Sequence, residues 1–123
     1  MKKVLFVEDE AGLQKTLGDV LRQEGYQVVS AVNGEVGLRL ALSEKPDLIL
    51  LDLILPGFNG LEVLKKLKEN TSTQNIPVII LTNLGDLENI EKALELGATT
   101  YLVKADHTLE EVIDKVKRAL IIK

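Results

Sequence analysis

Four apolar segments of this chain end at polar residues whose side chains suit phosphoryl chemistry. The polar residues that follow these segments are Glu8-Asp9-Glu10, Asp52, Thr82 and Lys104. If the segments are parallel strands of one sheet, their carboxyl ends meet at the same edge. Carboxylates, one hydroxyl and one ammonium would then face a single small site. Carboxylate oxygens suit Mg²⁺, whereas hydroxyl and ammonium groups suit phosphoryl oxygens.

The acidic residues have two interpretations. Glu8, Asp9 and Glu10 could simply cap the helix that follows and compensate its dipole. Three acids exceed what one cap requires, so we expect a hard-cation site with Asp9 as ligand and Glu8 acting directly or through water. Asp52 could start a turn at Pro56-Gly57. Beside other carboxylates, however, it would need a neutralising cation, and it could then attack an electrophilic phosphorus.

Thr82 and Lys104 carry little information when each is taken alone, because threonine is common at strand ends and most lysines are solvated. Beside the acids, Lys104 could pair with Asp52 and then with a phosphoryl oxygen, while Thr82 donates to another oxygen. Tyr101 is either ordinary strand packing or a half-exposed ring that changes rotamer with the charge of the site. We expect His107 to be solvated.

The elements that must position these residues alternate between short apolar runs and segments of helical periodicity. Five such pairs predict an α/β fold, a (βα)₅ doubly wound, flavodoxin-like parallel sheet in the order 2-1-3-4-5, since five strands are few for a closed barrel. The second helix is predicted at about Glu35 to Ser43, after a turn at Asn33-Gly34. Further boundary signals are glycines suited to left-handed helix ends and polar residues suited to N-terminal capping: Gly25, Gly97, Asn59 with Glu62, Asp86, and Thr108 with Glu111.

The composition of the chain limits the classes of function that it could have. The 123 residues predict a single domain, 1–123, large enough for a core of its own. Cysteine is absent and His107 is the one histidine, which excludes thiolate sites and multi-histidine metal sites within one chain. A net charge of −4 without a long basic run argues against direct nucleic-acid binding. With no signal-like or membrane-length apolar segment, we expect a cytoplasmic protein without membrane contact.

The segments around these residues resemble the receiver domain of two-component response regulators over essentially the whole chain. They are V-L-F-V-E-D-E, L-L-D-L-I-L-P-G-F-N-G, I-I-L-T-N and Y-L-V-K. The resemblance implies that Asp52 accepts a phosphoryl group from a phosphohistidine on a sensor histidine kinase or histidine phosphotransfer protein. It also implies Mg²⁺ as cofactor, with four ligands: Glu8, Asp9, Asp52 and the backbone carbonyl of Ile54.

The resemblance assigns the remaining roles as well. Thr82 and Lys104 would bind the phosphoryl oxygens, and Thr82 with Tyr101 would form the switch. The surface of the fourth helix, fifth strand and fifth helix, roughly 86–120, would signal to a downstream output protein and offers a face for a homodimer. The chain would catalyse only its own phosphorylation and slow dephosphorylation.

This sequence departs from the family's usual pattern near the site. Ala105 stands where proline usually follows the lysine, and a cis bond before alanine costs about 3 kcal/mol, so a trans bond is expected there. Asn83 replaces a small residue, which narrows access to the phosphoryl group. Ile54 and Leu84 offer no polar group to position a hydrolytic water, which predicts slow self-dephosphorylation.

Several alternatives stay open at this point. The chain could be a stand-alone receiver or the receiver part of a longer regulator or hybrid kinase. It could also be a pseudo-receiver, a binding scaffold that is never phosphorylated, although the complete set of acids, threonine and lysine argues against this. An aspartyl-intermediate phosphatase and a flavin protein rank lower. The first strand has no D-x-D nucleophile motif and no phosphate-binding loop rich in Ser, Thr and Gly follows it.

Overall fold

The chain forms five parallel strands and five helices in strict alternation. A computed structural model describes residues 1–55, 59–82, 87–104 and 108–121. The strands are β1 (Lys3–Val7), β2 (Gln27–Ala31), β3 (Leu48–Asp52), β4 (Val78–Thr82) and β5 (Thr100–Val103). The helices are α1 (Ala11–Gln23), α2 (Gly34–Glu44), α3 (Gly60–Glu69), α4 (Leu87–Glu95) and α5 (Leu109–Ile121).

The strands form one sheet in the order β2-β1-β3-β4-β5, which confirms the predicted doubly wound topology. The strand order reverses at β1, whose Val7 is in register with Ala31 of β2 and with Leu51 of β3. Ligands of such sheets bind beyond the carboxyl ends of the strands at this reversal. Asp52 and the residues that follow Val7 therefore lie where the topology places a site.

Both faces of the sheet are buried, which explains why its central strands are nearly continuous runs of apolar residues. Side chains alternate along each strand. In β1, Leu5 and Val7 belong to the apolar core that includes residues of α2 and α3. Val4 and Phe6 belong to the core that includes residues of α1 and α5. Packing on both faces fixes the register, so the strand ends are held at defined positions.

Most of the predicted helix boundaries agree with the structure. Gly25 and Gly97 have φ angles of 94° and 110°, in the left-handed region that suits glycine. Asn59 caps α3 by accepting a hydrogen bond from Leu61 N at 2.8 Å. Thr108 and Glu111 exchange the hydrogen bonds of a capping box. Asp86, the predicted cap of α4, lies outside the described residues.

The predicted bounds of α2 were short by one residue at each end. Asn33 does not form a separate turn with Gly34: its side chain accepts from Val36 N at 2.9 Å and caps the helix, so Gly34 is already helical. On α4, the buried residues are Ile90 and Ala93, whereas Leu87 leaves 67% of its surface exposed. No described helix is long and apolar enough to cross a membrane.

Candidate functional site

Three carboxylates meet at the carboxyl ends of β1 and β3. Glu8 is fully buried, Asp52 is 4% exposed and Asp9 is exposed to solvent. One carboxylate oxygen from each residue lies within 4.8 Å of the other two. The backbone explains the inward position of Glu8, because Glu8 N donates to Ala31 O at 2.9 Å and prolongs the pairing of β1 with β2. The predicted convergence of these acids is therefore present.

The ammonium of Lys104 lies between two of these acids. Its Nζ is 3.0 Å from Asp52 Oδ2, the pairing that the sequence predicted, and 2.7 Å from Glu8 Oε1, which it did not predict. Lys104 N also donates to Thr82 O at 2.9 Å, so the backbone of β4 holds the lysine beside the acids. The cluster therefore combines two buried carboxylates with one compensating cation.

The protonation of the cluster reflects its burial. Burial, reinforced by the charge of Asp52, raises the pKa of Glu8 from 4.5 to about 7, and the contact with Lys104 offsets part of this rise. Burial alone would lower the pKa of Lys104, but hydrogen bonds and charges from Glu8 and Asp52 outweigh it and raise that pKa. The two buried carboxylates thus share one ammonium.

Simple capping does not explain the acids. Glu10, the N-cap of α1, makes no side-chain capping hydrogen bond. Glu8 Oε2 does accept from Glu10 N at 3.1 Å. Glu8 Oε1 is also buried, and it contacts the Lys104 ammonium at 2.7 Å. Oxygens of three carboxylates within 4.8 Å of one another fit a hard cation that prefers oxygen ligands.

The backbone that follows β3 fixes the orientation of Asp52. Ile54 N donates to Asp52 Oδ1 at 3.1 Å, while Oδ2 faces Lys104, so both oxygens are held. Gly60, the first residue of α3, donates from its N to Leu53 O at 2.8 Å. A Cβ on Gly60 would approach Asp52 O to 2.6 Å and would overlap the backbone of Leu53. Only glycine therefore lets α3 pack this closely beneath Asp52.

Thr82 lies on β4, the strand that pairs with the strand of Asp52, and Tyr101 lies on β5, one strand further out. Thr82 is fully buried at the end of β4, one residue beyond the partner of Asp52 in the register. Tyr101 is half-buried and pairs with Ile80, two residues before Thr82, so the side chains of Tyr101 and Thr82 project from the same face. Their roles as phosphoryl ligand and switch stay predictions.

Other predictions of the sequence concern residues whose placement is not described. Asn83, Leu84, Ala105 and His107 fall in this group, so the peptide bond after Lys104 is outside the described residues. Ile54 is described and 58% exposed, in line with its place beside an open site. Its backbone carbonyl as a metal ligand stays a prediction.

Sequence analysis missed one polar residue beneath the cluster. Gln14 lies in the second turn of α1, and its Nε2 is within 3.1 Å of three backbone carbonyl oxygens at the ends of β1 and β2. Its spacing was an available signal, because it shares a helical face with Leu17, Gly18 and Leu21, all of which are buried. A polar residue on such a face needs hydrogen-bond partners.

Comparison with known proteins identifies the family of this chain. The family model described as the response regulator receiver domain matches residues 4–117. Sporulation initiation phosphotransferase F of Bacillus subtilis is 41% identical over 122 residues, which cover 99% of this chain and 96% of the relative. The phosphate regulon transcriptional regulatory protein PhoB of Pseudomonas aeruginosa is 36% identical over 97% of this chain. The chain spans about half (52%) of that relative's length.

Solved structures show the same fold. The chemotaxis response regulator CheY4 of Vibrio cholerae has a TM-score of 0.90 and 28% identity, over 98% of this chain and 99% of that one. A CheY-like response regulator receiver domain protein of Methanospirillum hungatei has a TM-score of 0.91 and 29% identity, over 98% and 94% of the two chains.

Proposed function

The chain belongs to the response regulator receiver domain family, and on that premise we propose that Asp52 is the phosphoryl acceptor of a two-component phosphorelay. The donor is a phosphohistidine of a sensor histidine kinase or of a histidine phosphotransfer protein. A carboxylate oxygen of Asp52 forms the bond to phosphorus as the bond from phosphorus to the imidazole nitrogen breaks. The imidazole leaves, and the product is an aspartyl phosphate.

The observation that carries this proposal is the setting of Asp52. Its carboxylate is buried, is held through both oxygens, and has an ammonium 3.0 Å away on Lys104. A carboxylate fixed in this way is oriented for attack, which lowers the entropic part of the barrier. When a phosphoryl group is added, Lys104 can pair with one of its oxygens and the Thr82 hydroxyl can donate to another.

We propose Glu8, Asp9, Asp52 and the backbone carbonyl of Ile54 as the ligands of Mg²⁺. This assignment is supported by the closely spaced oxygens of the three carboxylates, which have one described ammonium, that of Lys104, in contact with two of them. Mg²⁺ bound there supplies positive charge that offsets the charge of the transferring phosphoryl group. The exposed Asp9 leaves the cluster open to solvent on one side, as a cation that keeps several waters requires.

We propose that the new charge is read out through Thr82 and Tyr101. A bond from Thr82 to the phosphoryl group would favour one of two rotamers of the Tyr101 ring, biasing an existing two-state equilibrium. The surface that changes is α4, β5 and α5. On α4, Leu87 and Leu94 are 67% and 41% exposed, which supports contact with a downstream output protein or a second copy of the chain.

We propose further that residues 1–123 form one receiver domain that works in the cytoplasm and catalyses only its own phosphorylation and dephosphorylation. The relative of which this chain covers 96% is named a phosphotransferase, which supports phosphoryl transfer as the central activity.

Intact mass after incubation with acetyl phosphate tests this function. We expect one added phosphoryl group that requires Mg²⁺ and is lost in Asp52→Asn. Asp47→Asn is the matched control, because Asp47 precedes the other end of β3 and is exposed. No adduct on the wild type, where a known receiver is modified in parallel, would favour the pseudo-receiver.

A further inference from the structure

The side chain of Gln14 donates hydrogen bonds to three backbone carbonyl oxygens at the end of the sheet that carries the acids. Its Nε2 lies 3.0 Å from Phe6 O, 3.0 Å from Glu8 O and 3.1 Å from Ala31 O. Two of these oxygens belong to β1 and the residue that follows it, and the third belongs to the last residue of β2. One side chain of α1 therefore joins both strands at the point where the acidic segment begins.

The arrangement is asymmetric. The carboxamide nitrogen carries two hydrogens and faces three acceptors, so at least one hydrogen is shared. Gln14 Oε1 is buried without a hydrogen-bond partner among the described residues. An unsatisfied buried oxygen carries a free-energy penalty, which a methionine or leucine at this position would avoid. The amide therefore has a structural role that an apolar side chain of similar size could not fill.

The three oxygens that Gln14 binds indicate this structural role. Phe6 O and Glu8 O bracket Val7, and Ala31 O is also the acceptor for Glu8 N. The backbone on both sides of Glu8 is thus fixed relative to β2. Beyond it, Asp9 is exposed. Besides the ion pair of Glu8 with Lys104, the described contacts of this segment are Glu8 Oε2 with Glu10 N, and Glu10 O with Gln14 N.

We propose that Gln14 is a positioning residue for the cation site, which holds the segment from Glu8 to Glu10 in the conformation that presents Glu8 and Asp9 beside Asp52. The inference rests on the proposed function for the identity of the cation. Without the amide, binding would have to order this segment, and the free energy of ordering would be subtracted from affinity. Groups that orient metal ligands without touching the metal affect affinity in this way.

The first measurement uses metal-free protein and amide hydrogen exchange followed by NMR. Gln14→Met keeps the length of the side chain and removes the donor. We expect exchange of the Glu8 amide to accelerate about fivefold or more, while amides of β4 keep their wild-type rates, as for a local opening. Thr16→Val is the matched control, because it removes a hydrogen bond to Gly12 O on the same helix without touching β1.

The second measurement is a Mg²⁺ titration of the unphosphorylated protein, followed through the melting temperature, which rises as the cation binds. We expect Gln14→Met to raise the Mg²⁺ dissociation constant about threefold or more, and Thr16→Val to leave it unchanged. If Gln14→Met does not fold, Gln14→Asn takes its place. Its amide is one methylene shorter and cannot reach all three oxygens, so a smaller shift in the same direction is expected.

Two results would overturn the role of Gln14. One is a uniform loss of protection across the chain with an unchanged Mg²⁺ dissociation constant, which would make Gln14 an ordinary contributor to stability. The other is unchanged exchange at the Glu8 amide in a folded variant. Absence of any Mg²⁺ response in the wild type would instead contradict the proposed cation site. The metal-free exchange data would then still decide whether Gln14 holds the segment.

Discussion

Lys104 Nζ lies 2.7 Å from Glu8 Oε1 and links the fully buried Glu8 to the end of β5, on the far side of β3 and β4. The same ammonium is 3.0 Å from Asp52 Oδ2. It therefore supplies positive charge to two of the three carboxylates proposed as ligands of a divalent cation. Lysine and cation would stabilise the same carboxylates, and each would weaken the hold of the other.

Lys104→Met should bind Mg²⁺ severalfold more tightly and accept a phosphoryl group more slowly. Affinity rises because a competing positive charge is removed, whereas the rate falls because the phosphoryl oxygens lose a partner. Without metal, the variant should be less stable by about 3 kcal/mol or more at neutral pH, because the buried Asp52 loses its ion-pair partner. Mg²⁺-dependent melting and phosphorylation rates measure both effects.

Lys115→Met is the control for this variant. Lys115 contacts Thr100 and Tyr101 O at 3.4 to 3.5 Å, so its loss should leave Mg²⁺ affinity unchanged. Weaker Mg²⁺ binding in Lys104→Met would contradict competition between the two cations.

The stability of the metal-free protein should fall as pH rises from about 4.5 to about 7. The pKa of Glu8 is about 7 in the folded protein and 4.5 ordinarily, so the native state holds a proton there that the unfolded chain has lost. The contribution of this proton to the free energy of unfolding is complete below pH 4.5 and is lost as the pH rises through about 7. This contribution to the free energy of unfolding is at most on the order of 3 kcal/mol.

Urea unfolding in chelator, for the wild type and Glu8→Gln, measures this pH dependence. In Glu8→Gln the free energy of unfolding should no longer fall between pH 4.5 and 7 because of Glu8. Glu10 is exposed, so Glu10→Gln should show the same fall as the wild type. A wild-type stability that does not fall over this interval, relative to Glu8→Gln, would show that Glu8 ionises normally.

Gly60→Ala should destabilise the protein by about 1–3 kcal/mol or more, because a Cβ there overlaps the backbone that carries Asp52. Gly12→Ala is the matched control. Gly12 is helical and exposed, and a Cβ there would meet only the Glu10 side chain, at 3.9 Å. Alanine at this position should therefore raise the free energy of unfolding by about 0.5–1 kcal/mol. Urea unfolding distinguishes the two. Equal effects of both substitutions would argue against close packing of α3 beneath Asp52.

The aspartyl phosphate should be long-lived, because Ile54 is apolar and 58% exposed beside Asp52. Ile54→Gln should shorten its lifetime severalfold by offering a group that can orient water. The decay of phosphorylated protein after removal of the donor, followed by intact mass, gives both lifetimes. Rapid decay in the wild type would refute this prediction.

Thr82→Val should still be phosphorylated, more slowly, but should uncouple Tyr101 from the site. The chain has two tyrosines and no tryptophan, so Tyr26→Phe leaves Tyr101 as the single fluorophore. In that background, phosphorylation should change the fluorescence of Tyr101 with Thr82 present and much less with valine. A change that survives in Thr82→Val would assign the switch to other residues.

The topology and the position of the acids could be predicted because each rests on a local pattern. Apolar runs give buried strands, and polar residues that follow them meet at one edge. The contact of Lys104 with Glu8 could not be predicted in this way. It depends on the added hydrogen bond from Glu8 N to Ala31 O, which turns Glu8 inward at the end of β1.

Other differences have the same origin in tertiary packing. Helical periodicity places Leu87, Ile90 and Leu94 on one stripe of α4, but the helix packs on the sheet through Ile90 and Ala93. Gln14 has a polar side chain on a buried face, and its partners are backbone oxygens of two strands that no sequence pattern marks.

Mapping the phosphorylated residue tests the central claim most directly. Protein treated with acetyl phosphate and Mg²⁺ is reduced with borohydride, which converts an aspartyl phosphate to homoserine, and is then digested and analysed by tandem mass spectrometry. We predict homoserine at position 52 alone, absent when chelator replaces Mg²⁺. Homoserine at position 9 or 47 instead, or no conversion in protein that carries the added mass, would contradict phosphorylation of Asp52.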